Sequence, residues 1–530
     1  MIILPLIACV LISSLYPNNT EAANILMITL GGTKSHKIPF LALAHGLIPR
    51  GHQVTFVSGF KSAAIHKDLQ ELAPGPLVDY IQQYMDLDLV GARYEGKPPL
   101  TMWQALRYPT EVCRSFLSDT AIIHSLLTKS YDLAILDGAF PECALGLVHR
   151  LGVPFMYINT VGFYTGSLSL AGNPNVYAVT PHVFTTYTHS MDFLQRLQNV
   201  FTHITAELLH KYCAAQVYAV LQTHLGRLMP HPYILGRNVS FILQNGHASV
   251  TYPRPYYPNV AEIACIHCRP ANKLRQELEH FMSSAPAGVI YCSMGSSVRA
   301  ANMPEEFRQI LIRTFAKLTQ YHVLWKWESN ITQINDLPSN VRLNAWLPQQ
   351  DILGHRRLKA FITHGGLLSM YEAIYHAVPV IMLPVFCDHD VNAAKAVTDG
   401  YAIQLTIGAQ LTAARLQRAI YDIIHNGEYR RAVRLRRALL LDQPMSPLET
   451  AIFWTEYTLR HRGAHHLQPP ARDLSFYTYH SLDVLGAFAL GLLLLIVLFA
   501  ALLRTKLRKG HYHFLRLQWV QVRQSLKGSR

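Results

Sequence analysis

Ile25-Leu-Met-Ile-Thr-Leu30, then Gly31-Gly-Thr-Lys-Ser-His36, then a helix-like run ending near Arg50, form one strand–loop–helix unit. The apolar run reads as a buried strand and the glycines as a tight loop. Gly51 stops the helical run, and Val54–Val57 reads as the next strand. The unit recurs at Leu133–Leu136, Glu142–Leu151 and Phe155–Ile158. Alternation of this kind predicts an open parallel sheet. Between about 250 and 287 it stops, and Pro253, Pro255, Pro258 and Pro270 mark a linker. A second series follows, with strands at Val289–Cys292, Val323–Trp327, Ala360–Ile362 and Val380–Leu383 and a helix at Pro304–Leu318. The expected class is α/β, with two doubly wound Rossmann-like domains facing a cleft. In such sheets ligands bind beyond the carboxyl ends of the strands. That rule selects His36, Asp137, the turn after Cys292, His364 and Asp388.

The chain has 530 residues, half of them hydrophobic and 15% charged. It has room for two or three domains, and disorder is excluded as its main state. The apolar start, Met1 to Leu15, with small residues Ala22 and Ala23 beyond it, reads as a signal peptide over 1–23, although it carries no Lys or Arg. Val484–Leu503 is free of charge and at about 1.5 Å per residue covers roughly 30 Å, a bilayer's hydrocarbon core. Arg504–Arg530 holds eight Lys or Arg and no Asp or Glu. The positive-inside rule then places this tail in the cytosol and the body in the lumen. Of the +14 formal charge, +8 belongs to the tail, so anionic lipid accounts for the basic balance and no nucleic-acid partner is implied. Asn238-Val-Ser and Asn330-Ile-Thr are glycosylation sequons. Cys265-Ile-His-Cys268 has no second pair at zinc spacing, so no metal site is expected. A disulfide is permitted by a luminal compartment but not indicated by the spacing.

Thr363-His-Gly-Gly366 lies between a strand and a helix that runs to about Ala377. Glycines let backbone N–H groups approach an anion, and the positive end of the helix favours it. His364 and Ser369 add side-chain donors. Glu372, on the same face, would repel a phosphate but can accept bonds from ribose hydroxyls.

The segment around this turn is distinctive. Trp346-Leu-Pro-Gln-Gln-Asp-Ile-Leu-Gly-His355, Phe361-Ile-Thr-His-Gly-Gly366, Tyr371-Glu-Ala-Ile-Tyr-His-Ala-Val-Pro379 and Pro384-Val-Phe-Cys-Asp-His389 together resemble the donor-binding signature of the UDP-glycosyltransferase family, its animal membrane-bound branch above all. Tyr291-Cys-Ser-Met-Gly-Ser296, Asp442-Gln-Pro444, Phe453-Trp-Thr-Glu456 and Tyr479-His-Ser-Leu-Asp483 extend the match, which spans about 24–503. The resemblance implies a glycosyltransferase B fold and a UDP-sugar partner. Trp346 would stack on uracil with Gln349 nearby. His364, Gly365, Gly366, Ser369 and Ser296 would hold the diphosphate, Glu372 the ribose, and Asp388 and His389 the sugar. It also implies that His36 is the general base and Asp137 the carboxylate that orients it.

Three positions depart from the family's pattern. Leu368 stands where His-Gly-Gly-x-Asn has its Asn, and Lys326 where Arg is common. His389 replaces the Gln that usually follows the sugar-binding Asp. The expected reaction is inverting transfer of a hexose, glucose before galactose, to a small lipophilic hydroxyl compound, with no cofactor beyond the UDP-sugar. The acceptor would lie among apolar and aromatic residues from about Pro74 to Leu243. A lipid acceptor, or a lapsed enzyme that only binds lipophiles, are the rival readings. The expected organisation is 1–23 signal peptide, 24–250 acceptor domain, 251–287 linker and 288–445 UDP-sugar domain. A helical segment over 446–483 would pack back toward the membrane, followed by 484–503 transmembrane helix and 504–530 basic cytosolic tail. The location would be the endoplasmic reticulum membrane, single-pass with a luminal body; a homo-oligomer is compatible with the sequence.

Overall fold

The computed structural model describes residues 22–61, 68–162, 166–296, 298–328 and 337–527. Nearly all of the expected signal segment and the sequon residue Asn330 lie outside these. The chain divides into two units, Met1–Arg472 and Asp473–Arg530.

The first unit holds two parallel sheets. One is built from β1 (Asn24–Thr29), β2 (Gln53–Ser58), β3 (Leu69–Leu72), β4 (Leu133–Asp137), β5 (Phe155–Asn159), β6 (Phe241–Gln244) and β7 (Val260–Glu262), in the order β3-β2-β1-β4-β5-β6-β7. The other is built from β8 (Gly288–Ser293), β9 (Tyr321–Lys326), β10 (Val341–Asn344), β11 (Leu358–Thr363), β12 (Val380–Met382) and β13 (Ala402–Gln404), in the order β10-β9-β8-β11-β12-β13. The central strands β4, β5 and β8 are buried along their whole length. Helices cover both faces, so these strands read as continuous apolar runs.

In each sheet the first strand in the chain lies inside, and the order reverses between it and a later neighbour: β1 with β4, β8 with β11. A crevice opens at such a reversal, beyond the carboxyl ends. His36 follows β1 and Asp137 ends β4; Ser296 follows β8 and His364 follows β11.

The helices that frame these crevices are α1 (Lys34–Leu47), α2 (Leu89–Tyr94), α3 (Met102–Leu117), α4 (Phe193–Leu225), α5 (Leu367–Tyr375), α6 (His389–Thr398) and α7 (Pro447–Arg460). The second unit is dominated by α8 (Leu482–Lys527), which contains the whole charge-free stretch and continues through most of the basic tail.

One expectation changes, and two open points gain detail. The segment 251–287 is not all linker: β7 closes the edge of the first sheet, and a helix at Gln276–Ser283 packs against β8. The part of 446–483 that forms α7 packs on the first sheet's layer. Trp454 stacks on Phe241 at 4.4 Å, Ile452 joins the core beneath α1, and Glu456 pairs with Arg50 at 3.1 Å. Burial of these apolar side chains holds α7 on that layer. The cysteines pair as Cys113–Cys143, with Cα atoms 5.4 Å apart, and as Cys265–Cys268.

Candidate active site

At the first crevice, His36 sits in the first turn of α1. Its Nδ1 lies 2.7 Å from Asp137 Oδ2 and 2.7 Å from Thr160 Oγ1. Thr160 donates its hydroxyl hydrogen to Asp137 Oδ1 at 3.0 Å, and Thr29 donates to Asp137 Oδ2 at 3.1 Å. The backbone N–H of Ala139 adds a third donor to this carboxylate at 3.0 Å. Asp137 is therefore buried, fully hydrogen-bonded and fixed in direction. Its oxygen can only accept, so the Nδ1 atom of His36 carries the hydrogen and Nε2 keeps the basic lone pair. Gly32 makes room for the ring. It is in the left-handed region at φ +75°, and a Cβ there would lie 2.6 Å from the imidazole.

Burial depresses the basicity of His36. The charge and hydrogen bond of Asp137, with a further contribution from Asp388, more than offset it, and the pKa stands above the ordinary 6.5. Asp388 belongs to the second half of the unit, so the two crevices share an electrostatic field.

At the second crevice, His364 is buried between glycines: a Cβ on Gly295 or Gly366 would overlap its ring. Burial, then the nearby Lys326 charge, lower its pKa to about 3, so it is a neutral donor and acceptor. Gly366 caps α5 without a side-chain bond, which leaves the first amides of α5 unpaired within the helix. Gln349, Ser369 and Glu372 come together here. The Gln349 amide donates to Ser369 Oγ at 3.0 Å and to Glu372 Oε2 at 2.6 Å. Tyr291 donates to Gln349 Oε1 at 3.1 Å. His267, from the turn closed by the Cys265–Cys268 bridge, places Nε2 at 3.2 Å from Glu372 Oε1.

Trp346 is 63% exposed, a bare ring at the rim. Lys34 from α1 stands over it at 4.6 Å and Lys326 at 5.9 Å. Lys326 also donates to Gly295 O at 2.8 Å and pairs with Glu328. Asp388 accepts from Asn392 at 2.7 Å. Burial raises its pKa against the lowering effect of that bond. His389 is buried, its ring edge-on to His364 at 4.5 Å. Its Nδ1 accepts from the Val385 and Phe386 amides at 3.4 Å each, and burial holds its pKa well below 6.5.

A His–Asp pair thus lies at one strand-order reversal and a glycine-rich helix start at the other. Residues 33–518 fit the family model described as UDP-glucoronosyl and UDP-glucosyl transferase. The chain belongs to the UDP-glycosyltransferase family. It is 31% identical to UDP-glucosyltransferase 2 of Dactylopius coccus, over 91% of this chain and 92% of that one. It is 34% identical to UDP-glucuronosyltransferase 2A3 of Mus musculus, over 85% and 86%. Among solved structures, the calicheamicin glycosyltransferase CalG4 superposes with a TM-score of 0.56 at 18% identity, covering 83% of this chain and 99% of that one. Os79 from O. sativa, in complex with U2F and trichothecene, gives 0.57 at 14% identity, covering 82% and 100%. The fold is thus the glycosyltransferase B fold. A UDP-glycosyltransferase is an enzyme that transfers a glycosyl group from a UDP-sugar, and this chain is one.

In this UDP-glycosyltransferase, residues absent from the sequence reading lie in contact with the expected ones. Thr160 lies one position past β5, where the strand-end rule that selected His36 also applies. Asn392 lies one helical turn after Asp388. Lys34 and His267 gave no signal, because their contacts with Trp346 and Glu372 form only when distant segments meet. Leu368 is half-buried against the core under α5 and offers no polar atom to the cradle. Ser296 stands half-buried on the loop facing His364. Asn238 is exposed, as a glycosylation site requires.

Proposed function

We propose that this UDP-glycosyltransferase is an inverting hexosyltransferase that carries glucose from UDP-glucose to the hydroxyl of a small lipophilic acceptor. The observation that carries the reading is the lock on His36 Nδ1, which leaves Nε2 as a proton acceptor in the field of Asp388. The acceptor O–H gives its proton to Nε2 as its oxygen bonds to the anomeric carbon. The bond from that carbon to the diphosphate oxygen breaks, and UDP leaves with the electron pair. Asp137 stabilises the imidazolium so formed. The α5 amides, Gly365, Gly366, Ser369 and Ser296 bind the diphosphate, and His364 donates from Nε2 while Nδ1 takes the Thr363 hydroxyl at 3.2 Å. Trp346 stacks on uracil and Gln349 borders it. Glu372 takes the ribose hydroxyls, and Asp388 with His389 the sugar. No metal or other cofactor is invoked in this reading, because these donors supply the charge neutralisation.

An aromatic wall supports a lipophilic acceptor. Tyr84 lies 4.3 Å from Tyr108, which lies 5.7 Å from Phe140, and the Tyr108 hydroxyl reaches Gly32 O at 3.4 Å. This wall adjoins the loop that carries His36. The name of the Dactylopius relative supports glucose, whereas the mouse relatives are named for glucuronate. UDP-galactose is the second reading, favoured by His389, which has only Nε2–H left to offer. α8 is read as the span of a single-pass endoplasmic reticulum protein with a luminal body glycosylated at Asn238 and Asn330.

The test is UDP release from UDP-glucose with a phenolic or sterol acceptor. Release that needs the acceptor and is lost in His36→Ala is the expected result. Release that is equal in the variant, or absent with every lipophilic acceptor, rejects the reading.

A further inference from the structure

The turn Cys265-Ile-His-Cys268 is tied to two walls of the second crevice. On one side, Cys265 Sγ lies 3.6 Å from Tyr371 O in α5, and His267 Nε2 lies 3.2 Å from Glu372 Oε1. On the other, His267 O accepts from the Gln350 side chain at 3.1 Å, and the Arg269 backbone N–H donates to Gln350 Oε1 at 2.9 Å. The Arg269 guanidinium and the Asn272 backbone N–H both donate to Asp351 Oδ1, at 2.6 and 2.8 Å. Gln350 and Asp351 belong to the short helix Gln349–Leu353, whose first residue donates to Glu372 Oε2 at 2.6 Å. Glu372 is thus held by Gln349 at one oxygen and faced by His267 at the other.

The side chain of His267 is 3% exposed, and among the described residues neither ring nitrogen completes a hydrogen bond. Nε2 is close enough to Glu372 but not aligned with it. A buried imidazole left in this state is costly until a small rotation completes the bond, and Glu372 is the acceptor within reach. The bridge keeps the ring at that place. Cys265 is in the left-handed region at φ +67°, which a residue with a Cβ holds only when its surroundings impose it. The Cys268 N–H donates to Cys265 O at 2.8 Å and closes the same turn. Both sulfurs of the Cys113–Cys143 bridge belong to buried residues, whereas Cys268 is half-exposed. An external dithiol therefore reaches the Cys265–Cys268 bridge first.

We infer that His267 is a positioning residue for the donor's ribose, orienting the Glu372 carboxylate, and that the Cys265–Cys268 bridge sets donor affinity by holding it there; the inference rests on reading Glu372 as the ribose carboxylate. In the reduction, one thiolate of a dithiol attacks Cys268 Sγ, and Cys265 leaves as a thiolate that takes a proton. The second thiol then displaces Cys268 from the mixed disulfide. Two electrons and two protons pass to the bridge, and the dithiol becomes a disulfide.

The full chain in detergent is titrated by calorimetry with UDP and with 2′,3′-dideoxy-UDP, which keeps the base and diphosphate but lacks the ribose hydroxyls. The readout is the ratio of the two affinities, which a merely structural role does not move. His267→Ala, the pair Cys265→Ser and Cys268→Ser, and wild type pretreated with dithiothreitol should each cut that ratio about 3–10-fold, the worth of one hydrogen bond. Affinity for the dideoxy ligand should be kept, which also shows that each variant is folded. Dithiothreitol should add nothing in the double serine variant. An equal loss for both ligands, or an unchanged ratio in His267→Ala, overturns the positioning role. An unchanged ratio in reduced wild type, with Cys265 and Cys268 both alkylated by mass, overturns control by the bridge. So does a dithiothreitol effect that persists in the double serine variant. A ratio unmoved by Glu372→Ala removes Glu372 from the ribose, and the inference then falls with that reading.

Discussion

At the residue scale, His36 is the group whose removal should cost most. His36→Ala is expected to lower kcat by roughly 10²–10⁴-fold, the range for a general base, with UDP affinity by calorimetry unchanged. The raised pKa fixes the sign of the pH dependence. Catalysis needs the neutral ring, so kcat/KM should rise with pH through a midpoint above the ordinary 6.5. The protonated ring stabilises the fold below the unfolded pKa, and that contribution is lost as pH climbs through the raised folded value. In Asp137→Asn the charge is gone while burial stays, so the midpoint should move down; an unmoved midpoint assigns the limb to another group. Thr160→Val removes one of the bonds that aim Asp137 and should lower kcat about 3–10-fold, the worth of one hydrogen bond. A hexose preference read by residue 389 predicts that His389→Gln raises kcat/KM for UDP-glucose relative to UDP-galactose, by up to about 1–3 kcal/mol. A constant ratio leaves the Nδ1 bonds to Val385 and Phe386 as the sole role of that histidine. His36 and Asp137 lie where the strand-end rule points, but it is the family resemblance that gives them roles, and the structure brings the two side chains together. Thr160 satisfies the same strand-end rule but belongs to no motif of the resemblance, so only its bonds to His36 and Asp137 single it out.

At the scale of elements, the inner strands are readable and the rims are not. β1, β4, β5, β8, β11 and β12 are buried on both faces and stand out as apolar runs. β3, β7, β10 and β13 are the four sheet edges. They are short and half-exposed, and β7 hides among prolines, so nothing in their composition separates them from loops. α5 is legible by its glycines, and in the proposed reading it works with an exposed partner, Trp346. Trp346→Ala should weaken UDP binding by about 1–3 kcal/mol, the worth of stacking a base on an aromatic ring. Calorimetry with UDP alone reads this, and an unaltered affinity would detach Trp346 from the nucleotide. Lys34 over the same ring was beyond sequence reading, because it arrives from the other sheet's helix.

At the scale of the molecule, reading α8 as a span makes the basic tail a predictor of orientation. Protease added to sealed microsomes should trim only residues after Arg504 and leave the body intact; digestion of the body without detergent would reverse the topology. The two halves are also less separate than the repeated pattern implies. α2, from the first half, places Leu89 and Val90 in the core of the second, among Met294, Val298 and Phe307. Tyr94 stacks on Phe307 at 6.1 Å, Arg93 pairs with Asp390 at 2.7 Å, and Asp86 pairs with Arg299. Leu89→Ala should cost about 2–5 kcal/mol, the price of a core truncation, read as a lower melting temperature of the detergent-solubilised chain.

That arrangement has a consequence for recombining members of the family. Crossovers between relatives are naturally placed in the proline-rich stretch after residue 250, on the assumption that the halves are interchangeable. Here such a cut would leave residues 86–95 with one parent and the cavity they fill with the other. A chimera would then inherit a foreign plug in the core of its second half, and a loss of stability there would be misread as a defect of that half's own sequence. Exchanging 86–95 together with the second half keeps plug and cavity from the same parent.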